Sequence, residues 1–249
     1  MHTKDSLIAQ LSAMLPSDAT VLMHSSCKSL GQMENGGDTI LDALTEYFSR
    51  GLVVLPTHTW ATVNDRQPVY DVLYTPVCIG LLPELFRKRP GVHRSWHPTH
   101  SVAAFGADAE EFVRGDENCP TPCARDSAWG RLYDRDAYVL LVGVELNRMT
   151  FFHGVEEWNG IPGCLKETPN RYVVIPPDGG RIVRNYYPHC GDSSQLYPKA
   201  ETALLHAGAM RMEKLGDATV RLLSCRKSAE VVSSLLKDNP FFFGKAGYR

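Results

Sequence analysis

Tyr138-Val139-Leu140-Leu141-Val142-Gly143 is an almost unbroken apolar run closed by glycine. Residues 149–157 behind it read as a helix. A run this short and this apolar predicts a strand buried on both faces, as in a sheet covered by helices on either side. Thr20-Val21-Leu22-Met23 and Leu52-Val53-Val54-Leu55 repeat the pattern. Helices are expected over 4–15, stopped by Pro16, and over 39–49, entered through Gly36-Gly37-Asp38. Further helices are expected at 80–88, with Pro83 in the first turn, and at 107–114, 195–207 and 228–237. Ser127 is placed to cap a turn through Leu132. Strands are expected at 101–105 and 219–224. Tyr172–Ile175 and Arg181–Arg184 flank Pro176-Pro177-Asp178-Gly179-Gly180 and read as a hairpin. Residues 61–79 read as irregular. Strands alternating with helices predict one α/β domain over 1–249, a mixed, largely parallel sheet flanked by helices.

The bulk numbers narrow the function. The chain has 28 acidic and 26 basic residues, a net charge of −2, which offers no basic field for nucleic acid. No segment approaches the roughly 20 apolar residues of a membrane span. Met1-His2-Thr3-Lys4-Asp5 lacks the pattern of a signal peptide. A cytoplasmic location is expected, with neither nucleic acid nor membrane as partner. The seven cysteines are odd in number and scattered, which suits reduced thiols. Cys119-Pro120-Thr121-Pro122-Cys123 offers the start of a zinc site. No second Cys/His pair follows at a matching spacing, so free thiols and no metal are expected.

Ligands of open α/β sheets lie at the carboxyl ends of the strands. Ser25, Ser26, Lys28, Ser29, Thr57 and the 144–153 segment are therefore expected to converge; the alternative is that the serines cap and Lys28 is solvated. His153 and Glu156 are three apart on a helix and share a face. An imidazole there can accept a proton while the carboxylate fixes its tautomer; a surface pair is the alternative. In His97-Pro98-Thr99-His100-Ser101, Pro98 holds His97 extended, and only one of the two histidines need point into a site. His189 with Cys190 and Asp192 forms a third cluster, and Asp192 stays open as an acid that orients a histidine. The chain carries no P-loop, no GxGxxG after a strand, no GxSxG and no HExxH, which leaves the corresponding chemistries without support.

The segments His24-Ser25-Ser26-Cys27-Lys28-Ser29-Leu30-Gly31, Gly36-Gly37-Asp38-Thr39-Ile40-Leu41-Asp42-Ala43-Leu44 and Leu55-Pro56-Thr57 come in a characteristic order. Tyr70-Asp71, Thr75-Pro76, Arg94-Ser95-Trp96-His97-Pro98, Ser101-Val102-Ala103-Ala104, Leu140-Leu141-Val142-Gly143-Val144 and Thr150…His153…Glu156 continue it. Together they resemble the aminoglycoside 3-N-acetyltransferase (antibiotic N-acetyltransferase) family, in register over roughly residues 15–160. The resemblance implies an α/β fold distinct from the GCN5 type. It implies acetyl transfer from acetyl-CoA to a primary amine, expected to be the 3-amino group of an aminoglycoside. The alternatives are acyl transfer to a non-antibiotic amine metabolite and CoA-thioester hydrolysis.

On this resemblance the His24–Gly31 segment, with Cys27 and Leu30, lines the CoA path. Lys28 supplies charge, and Ser25, Ser26 and Ser29 supply hydrogen bonds. Ser101 and Val102 border the pantetheine arm, with Thr57 and Thr75 added from their matching segments. His153 is the base and Glu156 orients it; Thr150 is the expected oxyanion donor, and His97 and Asp192 are the reserve catalytic candidates. No metal is implied. One departure stands out: Arg184-Asn185-Tyr186-Tyr187-Pro188-His189-Cys190-Gly191-Asp192 carries a single acid where a polycationic sugar calls for several. Phe151-Phe152 and the tyrosine pair point to a more aromatic pocket. Phe241-Phe242-Phe243 packs on its own domain or on a second copy in a homodimer.

Overall fold

The aliphatic run at 138–142 lies inside a seven-stranded sheet, flanked by strands on both sides. The computed structural model describes residues 1–244. In chain order the elements are α1 (Lys4–Met14), β1 (Thr20–Ser25), α2 (Gly37–Tyr47), β2 (Leu52–Pro56), β3 (Val69–Asp71), α3 (Leu81–Phe86), β4 (His93–Arg94) and β5 (Val102–Gly106). Next come α4 (Ala109–Val113), α5 (Ala128–Asp134), β6 (Tyr138–Val142), α6 (Phe151–Trp158), β7 (Asn170–Ile175) and β8 (Ile182–Tyr186). The chain finishes with α7 (Glu201–His206), β9 (Met210–Leu215), β10 (Ala218–Ser224) and α8 (Cys225–Asp238).

The large sheet runs β4-β5-β2-β1-β6-β10-β9. β1 pairs parallel with both β2 and β6, and the remaining pairings are antiparallel. The expected mixed sheet is present, with its parallel part confined to the three central strands. Alternation along those strands divides two apolar layers. Val21, Met23, Val53, Leu55, Leu140 and Val142 face α1, α2 and α3, while Leu22, Val54, Val139 and Leu141 face α5, α6 and α8. α6 is anchored by Phe151, Phe152 and Val155, all fully buried; each contributes about 1.5–3 kcal/mol of burial. Phe243 also enters this layer.

A second, three-stranded sheet of order β3-β7-β8 stands apart, with its own core of Val63, Tyr70, Val72, Tyr172, Val174 and Tyr186. The β7–β8 pair is the hairpin read from the sequence. β3 falls within the stretch read as irregular; three residues are too few to show a periodicity, and β3 exists through its parallel pairing with β7. Arg94 ties this sheet to the large one. Its buried guanidinium donates to the carbonyls of Val72 (3.1 Å), Thr75 (2.8 Å) and Thr57 (3.0 Å) and lies over the Tyr70 ring. Glu84 adds an outer clamp, accepting from Arg87 and the Val77 amide.

Three other readings shift. The two-residue β4 and the half-exposed edge strand β9 escape the pattern because neither alternates cleanly. The expected helix at 195–207 is a 3-10 stretch over Ser193–Ala200 followed by α7, since Pro198 has no amide hydrogen to donate.

Candidate active site

β1 has a parallel neighbour on each side, so the crevice above its carboxyl end lies at the sheet's switch point. The loop after β1 and the loop after β6 meet there. Gly143, at φ +63°, makes the approach feasible: a Cβ at that position would lie 2.2 Å from Ser29 Cβ. α6 begins a few residues further on and carries His153 and Glu156 on one face.

His153 Nδ1 lies 3.3 Å from Glu156 Oε2 and 2.7 Å from the Tyr197 hydroxyl. The Tyr197 hydroxyl and Ser193 Oγ both donate to Glu156 Oε2, at 2.5 and 2.9 Å. Tyr197 has one proton and spends it on the carboxylate, so towards His153 its oxygen can only accept. The Nδ1 hydrogen is thereby fixed, and the lone pair is left on Nε2. Among the described residues Nε2 has no hydrogen-bond partner and is not one of the fully buried unpartnered atoms, and the side chain keeps 19% exposure. Burial pulls the Glu156 pKa upward, but the bonds from His153, Tyr197 and Ser193 outweigh it and hold Glu156 below the usual range. Tyr197 is pushed well above its ordinary value by burial and by Glu156. Phe243 backs the Tyr197 ring at 4.8 Å.

Behind His153 runs a column of imidazoles. His189 stacks on His153 at 4.4 Å and 29°; His100 follows at 5.0 Å and His58 at 4.7 Å. Burial holds His58, His100 and His189 well below the ordinary histidine value. His24, at the end of β1, and His97 are brought to about 3, again by burial first. His24 Nε2, His58 Nε2 and His97 Nε2 are buried without a well-formed hydrogen bond, as is His189 Nδ1. His189 Nε2 meets Glu157 Oε1 at 2.6 Å, and the same oxygen accepts from the Cys123 amide at 2.9 Å. Burial pushes Glu157 up to about 7.

The other sequence candidates separate into two groups. Ser25, Ser26, Cys27 and Ser29 are half-buried, and Lys28 is exposed on the 3-10 turn Cys27–Leu30 that follows β1. Leu30 and Val102 are core residues. Thr57 and Ser101 are buried and bond each other at 2.9 Å, and the Thr75 hydroxyl accepts from the Asp71 amide. His97 is buried, and its Nδ1 accepts from the amides of Thr99 and His100. It organises its own loop and is separated from His153 by His100 and His189. Thr150 is the N-cap of α6, and its hydroxyl makes no capping hydrogen bond. The Asp192 side chain is exposed and meets none of the histidines; its neighbour Ser193 reaches the site instead. Tyr197, Ser193 and His58 are not among the sequence candidates for the site. Tyr197 is 44 residues from His153, too far for any local spacing to signal.

The family model for aminoglycoside 3-N-acetyltransferase matches residues 22–237. The SPbeta prophage-derived aminoglycoside N(3')-acetyltransferase-like protein YokD of Bacillus subtilis is 28% identical over 96% of this chain and 93% of its own length. A mutant of aminoglycoside acetyltransferase AAC(3)-IVa in complex with gentamicin superposes with a TM-score of 0.84 at 26% identity, over 97% of this chain and 90% of that one. AAC-IIIb in binary complex with CoASH shares the fold, with a TM-score of 0.83 at 23% identity over 100% of this chain and 98% of its own.

Proposed function

Because the chain belongs to the aminoglycoside 3-N-acetyltransferase family, an acyltransferase family, we propose that it moves an acetyl group from acetyl-CoA to a primary amine with His153 as the base. The observation that carries this is the fixed tautomer: Nδ1 is held between Glu156 and Tyr197, while Nε2 has no partner among the described residues and is not buried. Nε2 takes a proton from the acceptor amine, whose nitrogen attacks the thioester carbonyl. The C–N bond forms, the C–S bond breaks, and the proton passes from His153 to the departing thiolate. Glu156 stabilises the imidazolium in between, and Ser193 and Tyr197 hold Glu156 in place. Thr150, whose hydroxyl is not spent on capping α6, is the donor proposed for the tetrahedral oxyanion. Lys28 and the hydroxyls of Ser25, Ser26 and Ser29 are proposed to hold the CoA phosphates and pantetheine. Cys27 lies on the same path, and the remaining members of the CoA set shape it from beneath.

The acceptor proposed first is the 3-amino group of an aminoglycoside, in keeping with the gentamicin held by a related structure. A second reading has its own observation. Glu156 and Glu157 flank His153 and are both committed to internal partners, which favours an acceptor with few positive charges. Thiol release from acetyl-CoA, measured against aminoglycosides and simple amines, separates the two. Turnover with neither class, while acetyl-CoA binds, would sink both.

A further inference from the structure

Three segments distant in sequence deliver a sulfur, an oxygen and a nitrogen to one point beside the base. Cys123 comes from the Pro-rich loop before α5, Glu157 from α6 and His189 from the chain leaving β8. One ligand-type atom of each lies within 4.8 Å of the others. The thiol is fully buried, and the Glu157 and His189 side chains are only 5% and 12% exposed. The thiol makes one long hydrogen bond, to the Thr150 carbonyl at 3.8 Å. His189 is left with a buried ring nitrogen that bonds nothing. The acetyl-transfer step above uses none of the three.

We propose that Cys123, Glu157 and His189 form a site for one thiophilic divalent cation of the zinc class. A thiolate, a carboxylate and a neutral imidazole carry two negative charges, so a divalent ion leaves the buried cluster neutral. The thiol proton is released to solvent on binding, and the Glu157–His189 hydrogen bond gives way to two metal bonds. Tetrahedral zinc with these donors places its ligand atoms roughly 3.5 Å apart, so separations of up to 4.8 Å close by about an ångström while the 2.6 Å Glu157–His189 contact opens by about the same. Three protein ligands leave a fourth position for water. The Cys119…Cys123 spacing on its own argues against zinc. The partners that change that reading are 34 and 66 residues further along the chain.

The test is Co2+ binding by chelator-treated, reduced protein, read by absorbance. One equivalent should give the strong visible bands of tetrahedral cobalt and a near-ultraviolet sulfur-to-cobalt band, and Zn2+ should bleach both. Cys123→Ser should lose the near-ultraviolet band, and His189→Gln should weaken binding at least tenfold; Cys119→Ser should change neither. Folding of each variant is followed by circular dichroism, and if Cys123→Ser does not fold, His189→Gln decides. Absence of a sulfur band in the unmutated protein overturns the site, as does a band that survives Cys123→Ser or an affinity that His189→Gln leaves intact. The readout is independent of acetyl transfer, so its failure leaves that proposal standing.

Discussion

The cluster around His153 and the imidazole column behind it use the same side chain to opposite ends. At His153 one nitrogen is claimed by Glu156 and Tyr197, and the other has no partner among the described residues and is not buried. Among the buried histidines, His24, His58, His97 and His189 each keep a nitrogen without a well-formed bond. Burial alone makes an imidazole neutral but does not choose its tautomer; a partner at one nitrogen does. The contrast separates a base whose second nitrogen is not buried from rings whose unpartnered nitrogen is sealed in the fold.

The hardest break of this contrast is His153→Ala. Turnover should fall about 100-fold or more, the usual scale for a lost general base. Acetyl-CoA binding, followed by calorimetry, should survive. His97→Ala should cost stability and leave the chemical step within a few-fold. If His97→Ala proves the larger loss in kcat, the base has been misassigned.

Glu156→Gln tests the partner itself. An amide keeps the shape but can no longer carry the charge that stabilises the imidazolium, so kcat should drop about tenfold or more with little change in KM. Tyr197→Phe should show a smaller effect in the same direction. A change confined to KM would move Glu156 from orienting the base to holding the acceptor.

The buried histidines are tested through acid stability. His24 and His97 have folded values of about 3 against 6.5 in the open chain, so between those limits the unfolded state binds the extra protons. Stability is therefore full above pH 6.5 and falls as pH drops toward 3, each ring contributing up to about 1.4 kcal/mol per pH unit. Glu84 adds a loss of the same sign in a lower window, from 4.5 down to about 2. Urea midpoints at pH 7 and pH 5 should show the slope, and His24→Gln should flatten it by close to one proton. An unchanged slope would mean that the ring is protonated in the folded protein.

The smallest effect is expected on the 3-10 turn that follows β1. Lys28→Ala should raise KM for acetyl-CoA a few-fold and spare kcat, because an exposed lysine contributes a solvated charge. A selective loss of kcat would place Lys28 in the chemistry.

Much of the fold is legible in the chain. Leu52–Leu55 and Tyr138–Val142 read as buried strands because their apolar runs need covering on both faces, and α1 shows its face and its stop at Pro16. The His153/Glu156 pair is legible because helical spacing places both on one face. What tertiary structure decides is everything that depends on crossing the chain. β3 exists only by pairing with β7, and Tyr197 and Ser193 reach Glu156 only because the 193–200 stretch folds back over α6. Asp192 and Ser193 are neighbours in sequence with equal local claim, and packing turns the serine inward. Local periodicity encodes which face of an element is buried. Which side chain meets which depends on how loops close over tens of residues, and a spacing rule carries no information at that range.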